Sequence, residues 1–212
     1  MATAAAEGLR ERKKRRTREA IAGAAMRLFR QRGFDAVTVE EVADAADVSK
    51  KTVFNYFPSK EDLVLRAGDA RLATLIEGIR DRPPGASIVT PFRALTGEWL
   101  DRIEHEPAET VLAVPRLVMD SETLRNRLFL GWEQEAATLT PVLAQAVGEP
   151  ADAVGPAVAA RSLAWAHRVV VRTSFARLLE GEEPRAVAAD LRDEARLAYD
   201  LLEGGLGGYG AR

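Results

Sequence analysis

Cysteine is absent from this 212-residue chain, and histidine occurs only twice. Without thiols the chain can form neither a disulfide nor a thiol nucleophile, and a metal site would depend mainly on carboxylates. No apolar run approaches the roughly 18 residues that a membrane-spanning helix needs. The N-terminus also lacks the basic start and apolar core of a signal peptide, so we expect a cytoplasmic protein.

Strand patterns are also lacking. No stretch alternates apolar and polar residues with β-branched enrichment, which argues against a sheet, and apolar residues instead recur at helical spacing. The sequence therefore predicts an all-α protein of about nine helices. Three of them form an N-terminal head, and the others form a larger domain.

Three helix starts follow one another closely in the first third of the chain. Thr38 is followed three residues later by Glu41, which is the spacing of a capping box. Ser49 opens a second helix, which Pro58 limits to about two turns because the residue before a proline disfavours helical geometry. A third helix starts at Ser59. This arrangement predicts the helix-turn-helix of a DNA-binding protein.

The short second helix has one face of mixed chemistry. Lys50, Lys51, Phe54 and Asn55 lie together there, because residues three and four apart are neighbours on a helix. Lysine can donate to guanine, asparagine can pair with adenine, and an apolar ring can touch a thymine methyl. The face therefore predicts contact with a major groove. The alternative is a short solvated helix, since lysines on helix surfaces are common.

A run of positive charge precedes this motif. We predict a disordered arm over residues 1–16 that reaches phosphates or the minor groove, with a solubilising tail as the alternative. Its main cations are the consecutive residues Arg12, Lys13, Lys14, Arg15 and Arg16. Residues 1–60 hold 13 basic and 8 acidic residues, net +5, and the remainder holds 17 and 24, net −7. Such a division is expected when only one end of a chain meets nucleic acid.

Several motifs occur here in a specific order: Arg32-Gly33-Phe34, Thr38-Val39, Val42-Ala43, Val48-Ser49, TVFNYF at residues 52–57 and Lys60-Glu61-Asp62-Leu63. This order resembles the N-terminal domain of the tetracycline-repressor (TetR) family, over roughly residues 15–65. The resemblance implies a sequence-specific, DNA-binding transcriptional regulator, in most cases a repressor, and not an enzyme. It also implies DNA contacts from Thr38, Val39, Ser49, Lys50, Lys51, Thr52, Phe54, Asn55, Tyr56 and Lys60.

Phosphate contacts are implied for three of these residues, namely Thr38, Tyr56 and Lys60. Two positions depart from the family pattern. Lys51 replaces a frequent glycine, and Phe54 replaces the usual tyrosine. Apolar contact must therefore serve where many members use a phenol hydroxyl.

The rest of the chain is long enough to bury its own core. We predict a helix-turn-helix domain over residues 17–65, an effector-binding and dimerisation domain over 66–203, and a flexible tail over 204–212. Helices are expected at about 59–81, 87–105, 107–119, 121–147, 152–180 and 184–203. Pro115 and Pro141 fall inside two of these and should kink or interrupt them, whereas Pro156 is expected in a first turn.

Two apolar stripes suggest a subunit interface. One lies on the helix near 152–180 (Ala160, Leu163, Ala164, His167, Val170, Val171, Ser174, Phe175 and Leu178), and the other on the helix near 184–203 (Val187, Leu191, Ala195, Ala198 and Leu202). The alternative is that both stripes are internal core. The resemblance implies that these helices pair with their twins in a homodimer. Two-fold symmetry would then match a palindromic operator of double-stranded DNA.

The resemblance also implies a small-molecule effector enclosed by the larger domain. Candidate contacts are polar or aromatic residues in apolar surroundings: Trp99, His105, Met119, Phe129, Trp132, Trp165, His167 and Arg168. Ordinary core packing is the alternative for each of them. We expect a mostly hydrophobic effector, because apolar walls with few polar groups are the rule in such pockets.

Two other classes of function compete. Gly205, Gly207 and Gly210 match a dinucleotide-binding spacing but lack the strand and helix around it, and His105-Glu106 lacks the second histidine of a zinc-protease helix. We therefore predict no catalytic residue, no metal and no cofactor. The other class is a DNA-binding protein without an effector, which an enclosed pocket would distinguish.

Overall fold

The computed structural model describes residues 8–65 and 67–206. Within these ranges it has no strand and eleven α-helices: α1 (Leu9–Arg32), α2 (Val39–Ala45), α3 (Lys50–Tyr56), α4 (Asp62–Leu65), α5 (Ala67–Arg80), α6 (Thr90–His105), α7 (Ala108–Val111), α8 (Ala113–Asp120), α9 (Glu122–Val147), α10 (Val154–Leu179) and α11 (Pro184–Leu206). The all-α prediction is confirmed. None of these helices has the length and apolar character needed to cross a membrane.

The chain divides into two compact units. Among the described residues, the first consists of 8–65 and 116–125, and the second of 67–115 and 126–206. The boundary near residue 66 lies where the sequence places the end of the helix-turn-helix domain. The assignment of residues 116–125 to the first unit has no counterpart in the sequence pattern.

The first unit is built on the apolar stripe of α1. Ile21, Ala24, Ala25 and Phe29 are buried there, and Phe34 packs back on Phe29 with 5.1 Å between the ring centroids. The core is completed by Val42 and Ala43 of α2, Val53 of α3 and Phe57 just after α3. The stripe therefore braces the two helices that follow it.

Side-chain caps fix where α2 and α3 begin. Thr38 Oγ1 accepts a hydrogen bond from Glu41 N at 3.2 Å, and Glu41 Oε2 accepts one from Thr38 N at 2.7 Å. Ser49 Oγ accepts from Thr52 N at 3.1 Å. The predicted capping box and second cap are confirmed, and α3 ends after seven residues, before Pro58.

The second unit is organised around α6, which packs against α5, α10 and α11. One apolar cluster joins residues of α5, α6, α9, α10 and α11, and a second joins α6, α7, α10 and α11. The largest fully buried side chains of the unit include Phe92, Ile79, Ile103, Leu139 and Tyr199. The buried residues of α6, namely Phe92, Thr96, Trp99, Leu100 and Ile103, recur at helical spacing and form one stripe.

The two stripes proposed for a subunit interface are internal to the second unit. On α10, Ala160, Leu163, Ala164 and Val170 are buried, and Val171 and Phe175 are partly buried against the same clusters. On α11, Val187, Leu191 and Ala195 are buried in the same way. Within one subunit these residues are core, which was the alternative interpretation.

Three helix boundaries differ from the sequence prediction. The segment expected to be disordered is helical from Leu9 onwards, because lysine and arginine are good helix formers. The helix expected at 107–119 is two helices that meet at Leu112, and Pro115 lies in the first turn of α8, where its missing N–H breaks no helical hydrogen bond. By contrast, α9 continues through Pro141.

The remaining boundaries lie close to their predicted positions. The helix expected at 59–81 corresponds to α4 and α5, on either side of residue 66, which is outside the described residues. Pro156 falls in the first turn of α10, as predicted. Residues 204–206 of the predicted tail belong to α11. Residues 1–7 of the predicted arm and 207–212 of the tail lie outside the described residues.

Candidate nucleic-acid interface

A tight turn joins α2 to α3. Ala46 N donates to Val42 O at 3.0 Å, and Val48 N donates back to Ala43 O at 3.0 Å. Asp47 between them has φ 54°, a left-handed conformation that aspartate adopts more readily than most residues. The turn therefore accepts a side chain where a glycine would be unstrained.

The orientation of α3 is set by its apolar side. Val53 and, just after the helix, Phe57 are almost completely buried, with exposed fractions of 1% and 3%. Lys50, Lys51 and Asn55 are exposed on the other side, and Phe54 leaves 40% of its surface accessible. An accessible phenylalanine among two cations and an amide offers the three kinds of contact that major-groove recognition uses.

Lys50 is not a free cation in the absence of DNA. Its Nζ donates to Oε1 of Glu40 on α2 and lies 5.9 Å from the centroid of the Phe54 ring. The hydrogen bond from Lys50 is the main reason that the pKa of Glu40 lies below its usual value. A phosphate or a base must therefore compete with Glu40 for this lysine.

The hydroxyl residues of the interface are already engaged in caps. Thr38 Oγ1 also donates to Glu41 Oε2 at 3.0 Å, and Ser49 Oγ lies 2.8 Å from Thr52 Oγ1. Each hydroxyl retains an acceptor site, and the backbone around it is accessible. Contacts from these residues to phosphates would therefore add to the caps and need not replace them.

Val39 and Lys60 differ from the other expected contacts. Val39 is 9% exposed, so its side chain belongs to the core and only its backbone can face a phosphate. Lys60 is half-buried, and its Nζ lies 4.2 Å from the centroid of the Phe34 ring. Desolvation at this position lowers the pKa of Lys60, against the opposing charges of Asp35 and Glu61. Lys60 therefore has a packing role in the free protein besides any contact with phosphate.

The basic residues upstream lie on a helix. Arg12, Lys13, Lys14, Arg15 and Arg16 all belong to the first half of α1 and are exposed. Successive helical residues rotate by about 100°, so these cations point in several directions and not along one flexible strand. A helix still presents a dense positive surface.

Two residues missed in the sequence pattern support the interface. Glu40 holds Lys50 as described, and Arg18 places its guanidinium carbon 5.4 Å from the centroid of the Phe57 ring. No local spacing could have identified either contact, because each joins two different helices.

The effector candidates fall into three groups. Trp99 and His167 are buried in the second unit, where Trp99 Nε1 donates to Ser174 Oγ at 3.1 Å. His105 is exposed at the end of α6, with Nδ1 2.7 Å from Asp101 O, and Met119 is exposed in a segment assigned to the first unit. Those last two positions do not point into the interior.

The other four candidates form one surface cluster. Phe129 and Trp132 have ring centroids 4.9 Å apart, and Trp132 and Trp165 have centroids 6.0 Å apart. Arg168 lies over the Trp132 ring at 5.2 Å and donates to Glu135 at 2.8 Å. More than half of the Phe129 and Trp165 surfaces is accessible. This cluster is therefore a surface patch of the single subunit and not an enclosed cavity.

The polar interior of the second unit contains residues that the sequence pattern did not single out. Thr96 of α6 and Tyr199 of α11 are each 1% exposed, and the Thr96 hydroxyl contacts both Tyr199 and His167. Thr96 lies one turn beyond the buried Phe92 and Tyr199 one turn beyond Ala195. The sequence signal for both residues was a polar side chain within an apolar helical stripe.

Known proteins resemble this chain in sequence. The family described as "Bacterial regulatory proteins, tetR family" matches residues 21–67. The HTH-type transcriptional regulator TcmR of Streptomyces glaucescens is 31% identical over 153 residues, which are 68% of this chain and 66% of TcmR. The HTH-type transcriptional repressor KstR of Mycobacterium tuberculosis (strain ATCC 25618 / H37Rv) is 39% identical over 89 residues, 42% of this chain and 37% of KstR. The matched part thus spans about two thirds of TcmR and less than half of KstR.

Solved structures resemble it in fold. The SmeT-triclosan complex superposes with a TM-score of 0.57 at 20% identity, over 89% of this chain and 90% of SmeT. NalD, the secondary repressor of the MexAB-OprM multidrug efflux pump in Pseudomonas aeruginosa, gives a TM-score of 0.56 at 18% identity, over 88% and 96% of the two chains. At such identities the likeness concerns the fold alone.

Proposed function

We propose that this chain, which belongs to the tetR family of bacterial transcriptional regulators, represses transcription from a palindromic operator as a homodimer and is released by a small, mostly hydrophobic effector. The observation that carries the proposal is the exposed face of α3, where Lys50, Lys51, Phe54 and Asn55 stand opposite a buried anchor. Repression is supported by the similarity to KstR, a transcriptional repressor. Such a protein would act in the cytoplasm, beside the bacterial chromosome.

Base recognition would come from the exposed face of α3. Asn55 would pair with adenine, the two lysines would donate to guanine or phosphate, and Phe54 would lie against a thymine methyl. Thr38, Ser49, Thr52 and Tyr56 would position the helix on the backbone, and the cations of α1 would add contacts that do not depend on sequence. Lys60 would reach a phosphate only by leaving the Phe34 ring.

Dimerisation would use the outer faces of α10 and α11. The accessible apolar side chains there are Val154, Val158, Trp165, Val169, Leu197 and Leu201. Those on α10 recur at four- and seven-residue spacing and so form one stripe. An accessible apolar stripe on two adjacent helices is typical of a subunit interface. Two-fold pairing would place two copies of α3 roughly 34 to 36 Å apart, one turn of DNA.

Effector control would reside in the second unit. SmeT has this fold and was solved with triclosan, which supports the view that such a bundle can admit a small molecule. In this chain the buried polar group of Thr96, His167 and Tyr199 lies among apolar side chains. Effector binding would favour a dimer state in which the two α3 helices have the wrong separation for successive grooves. A ligand shifts that balance only by its different affinity for the two states.

The test is selection of genomic fragments by the purified protein, followed by titration of the selected and of random DNA at one salt concentration. Specific regulators bind their sites about 10³-fold or more tightly than random DNA. We expect a selected sequence with two inverted half-sites and a ratio of that order. Equal affinity for selected and random DNA would contradict the proposal.

A further inference from the structure

His167 has one ring nitrogen without a partner. It lies on α10 with 6% of its surface exposed. Its Nδ1 is 2.9 Å from Thr96 Oγ1, and Thr96 Oγ1 is 2.7 Å from Tyr199 Oη. Nε2 is the one buried side-chain nitrogen or oxygen of the described residues that makes no hydrogen bond. Since buried polar atoms are nearly always bonded, this atom calls for an explanation.

The hydrogen-bond chain decides which nitrogen carries the proton. If Nδ1 donated to Thr96, Thr96 would either donate to Tyr199 or accept from it, and the hydroxyl hydrogen of Tyr199 or of Thr96 would then have no acceptor among the described residues. If Tyr199 donates to Thr96 and Thr96 donates to Nδ1, both of those bonds are made. Only the Nε2–H of His167 is then left over. The arrangement therefore presents a buried N–H donor.

Two cations, Arg71 and Arg168, lie near this donor, together with Glu135, whose carboxylate faces both of them. Burial first, and then the charges of Arg71 and Arg168, lower the pKa of His167 to about 3, so the ring is neutral. Arg168 is engaged, because it donates to Glu135 at 2.8 Å and to the Trp132 carbonyl at 3.2 Å. Arg71 makes no hydrogen bond or ion pair with the described part of the chain, although the charge of Glu135 partly opposes the lowering of its pKa. It is the cation that remains available to an anion.

Arg71 belongs to the core-facing side of α5. It precedes Leu75 and Ile79 by one and two turns, and both of these are buried. The Arg71 side chain is nevertheless accessible, while desolvation by surrounding protein lowers its pKa. The partly buried Leu72 and Ile76 give the same helix apolar surface beside it.

We propose that α5, α6 and α10 together bind the anionic oxygen of an otherwise apolar effector, such as an aromatic carboxylate or phenolate. His167 Nε2–H would donate to that oxygen, and Arg71 would supply the opposite charge. The inference rests on the proposed function, because it names the chemical class of the effector. Thr96 and Tyr199 are positioning residues, since they hold the imidazole in the tautomer that donates.

A trapped water is a poorer occupant of this position. Buried waters make about three hydrogen bonds to groups that otherwise have no partner, and the described residues offer one such atom. A carboxylate gains both a hydrogen bond and a cation. Charge-assisted hydrogen bonds are roughly twice as strong as neutral ones.

The two histidines of the chain make a direct test possible. In protein labelled with ¹⁵N-histidine, the exposed His105 is an internal reference for His167. We expect His167 to carry its proton on Nε2. Titration with naphthalene-2-carboxylate should shift the His167 Nε2–H resonance and leave His105 unchanged, and methyl naphthalene-2-carboxylate should shift it less. Protonation on Nδ1, or no shift with the carboxylate, would overturn the proposal.

A matched pair of variants tests the charge. Arg71→Gln should weaken naphthalene-2-carboxylate binding by about tenfold or more and leave binding of the methyl ester unchanged. Arg80→Gln, on the exposed end of the same helix, should change neither. Equal affinity for acid and ester, or an Arg71→Gln variant that binds the acid normally, would overturn the proposal.

Operator release separates this inference from the proposed function. A neutral apolar compound that releases wild-type protein and Arg71→Gln equally from the operator would contradict the anion site and leave ligand-controlled repression standing. Binding of the carboxylate at His167 without any change in operator affinity would support the anion site and contradict ligand-controlled repression.

Discussion

At the residue scale, the ion pair between Lys50 and Glu40 is the contact most relevant to DNA binding. It links α2 to α3 and keeps a cation of the candidate recognition helix engaged in the free protein. Both side chains are half-exposed or more, so the pair contributes little to stability. Its effect should appear when DNA competes for the lysine.

Replacing Glu40 should therefore strengthen DNA binding. Glu40→Gln frees Lys50, and we expect severalfold tighter binding of operator and random DNA together with a salt dependence steeper by about one phosphate contact. Fluorescence anisotropy at several salt concentrations measures both. Asp44→Asn is the control, because it removes the same charge from an exposed position of α2. Identical effects of the two variants would mean that only net charge matters.

Asn55 and Lys60 should separate base contacts from phosphate contacts. Asn55→Ala should cost about 1 to 3 kcal/mol on the operator and relax base preference. Lys60→Ala should weaken operator and random DNA alike and reduce the salt slope by about one. Thermal unfolding must accompany the second variant, since Lys60 also packs on Phe34. If both variants lose equal affinity on both DNAs, Asn55 is not a base contact.

Local chemistry explains what was predictable at this scale. The roles of Thr38, Glu41 and Ser49 as caps follow from spacing along the chain, and the structure confirms them. The burial of Val39 and the contact of Lys60 with Phe34 depend on which helices meet. Spacing within one helix carries no information about such contacts.

At the element scale, the capping box of α2 should make stability depend on pH. The backbone hydrogen bond from Thr38, followed by the hydrogen bond from Arg32, lowers the pKa of Glu41 from 4.5 to about 2. Its ionised form is thus favoured by folding. The contribution is present above pH 4.5 and is lost as pH falls towards 2.

Glu41→Gln isolates that contribution, since glutamine can still complete a capping box. Urea unfolding should show the variant less stable than wild type at about pH 6, and the difference should shrink at about pH 3. A difference that stays constant between the two pH values would exclude the charge of Glu41 as its cause.

The outer faces of α10 and α11 give a second prediction for elements. Among the described side chains of α11, Leu201 is the most accessible apolar one, at 79%. Leu201→Glu should convert a dimer into a monomer, because an unpaired carboxylate would have to be desolvated at the interface. Ala189→Glu, at an exposed position about 120° away on the same helix, should remain dimeric. Light scattering after size-exclusion chromatography distinguishes the two.

The helices were easier to predict than the elements that pack against their apolar faces. Pro115 indicated a helix break near 112 and Pro156 the start of α10, because a proline lacks the N–H that a helix interior needs and so affects only its own helix. The stripe through Leu163 and Val170 could not reveal whether its partner was the same chain or another, because burial requires only an apolar neighbour. The structure assigns that stripe to the internal core.

At the scale of the whole molecule, two-fold symmetry makes one prediction. Wild-type protein should have about twice the 23.1 kDa chain mass in solution. Dimers are needed for two recognition helices to meet one inverted repeat. A 23.1 kDa particle at micromolar concentration would contradict the proposed assembly.

The three tryptophans of the chain also occupy distinct surroundings. Trp99 is buried and bonded to Ser174, whereas Trp165 is 52% exposed on the outer face of α10 and Trp132 lies under Arg168. Indole emission moves to longer wavelength as the ring meets water. The intrinsic fluorescence of the protein should therefore report two events at different wavelengths. The short-wavelength emission of Trp99 should be lost when the second unit unfolds, and the long-wavelength emission of Trp165 should be lost when two subunits pair.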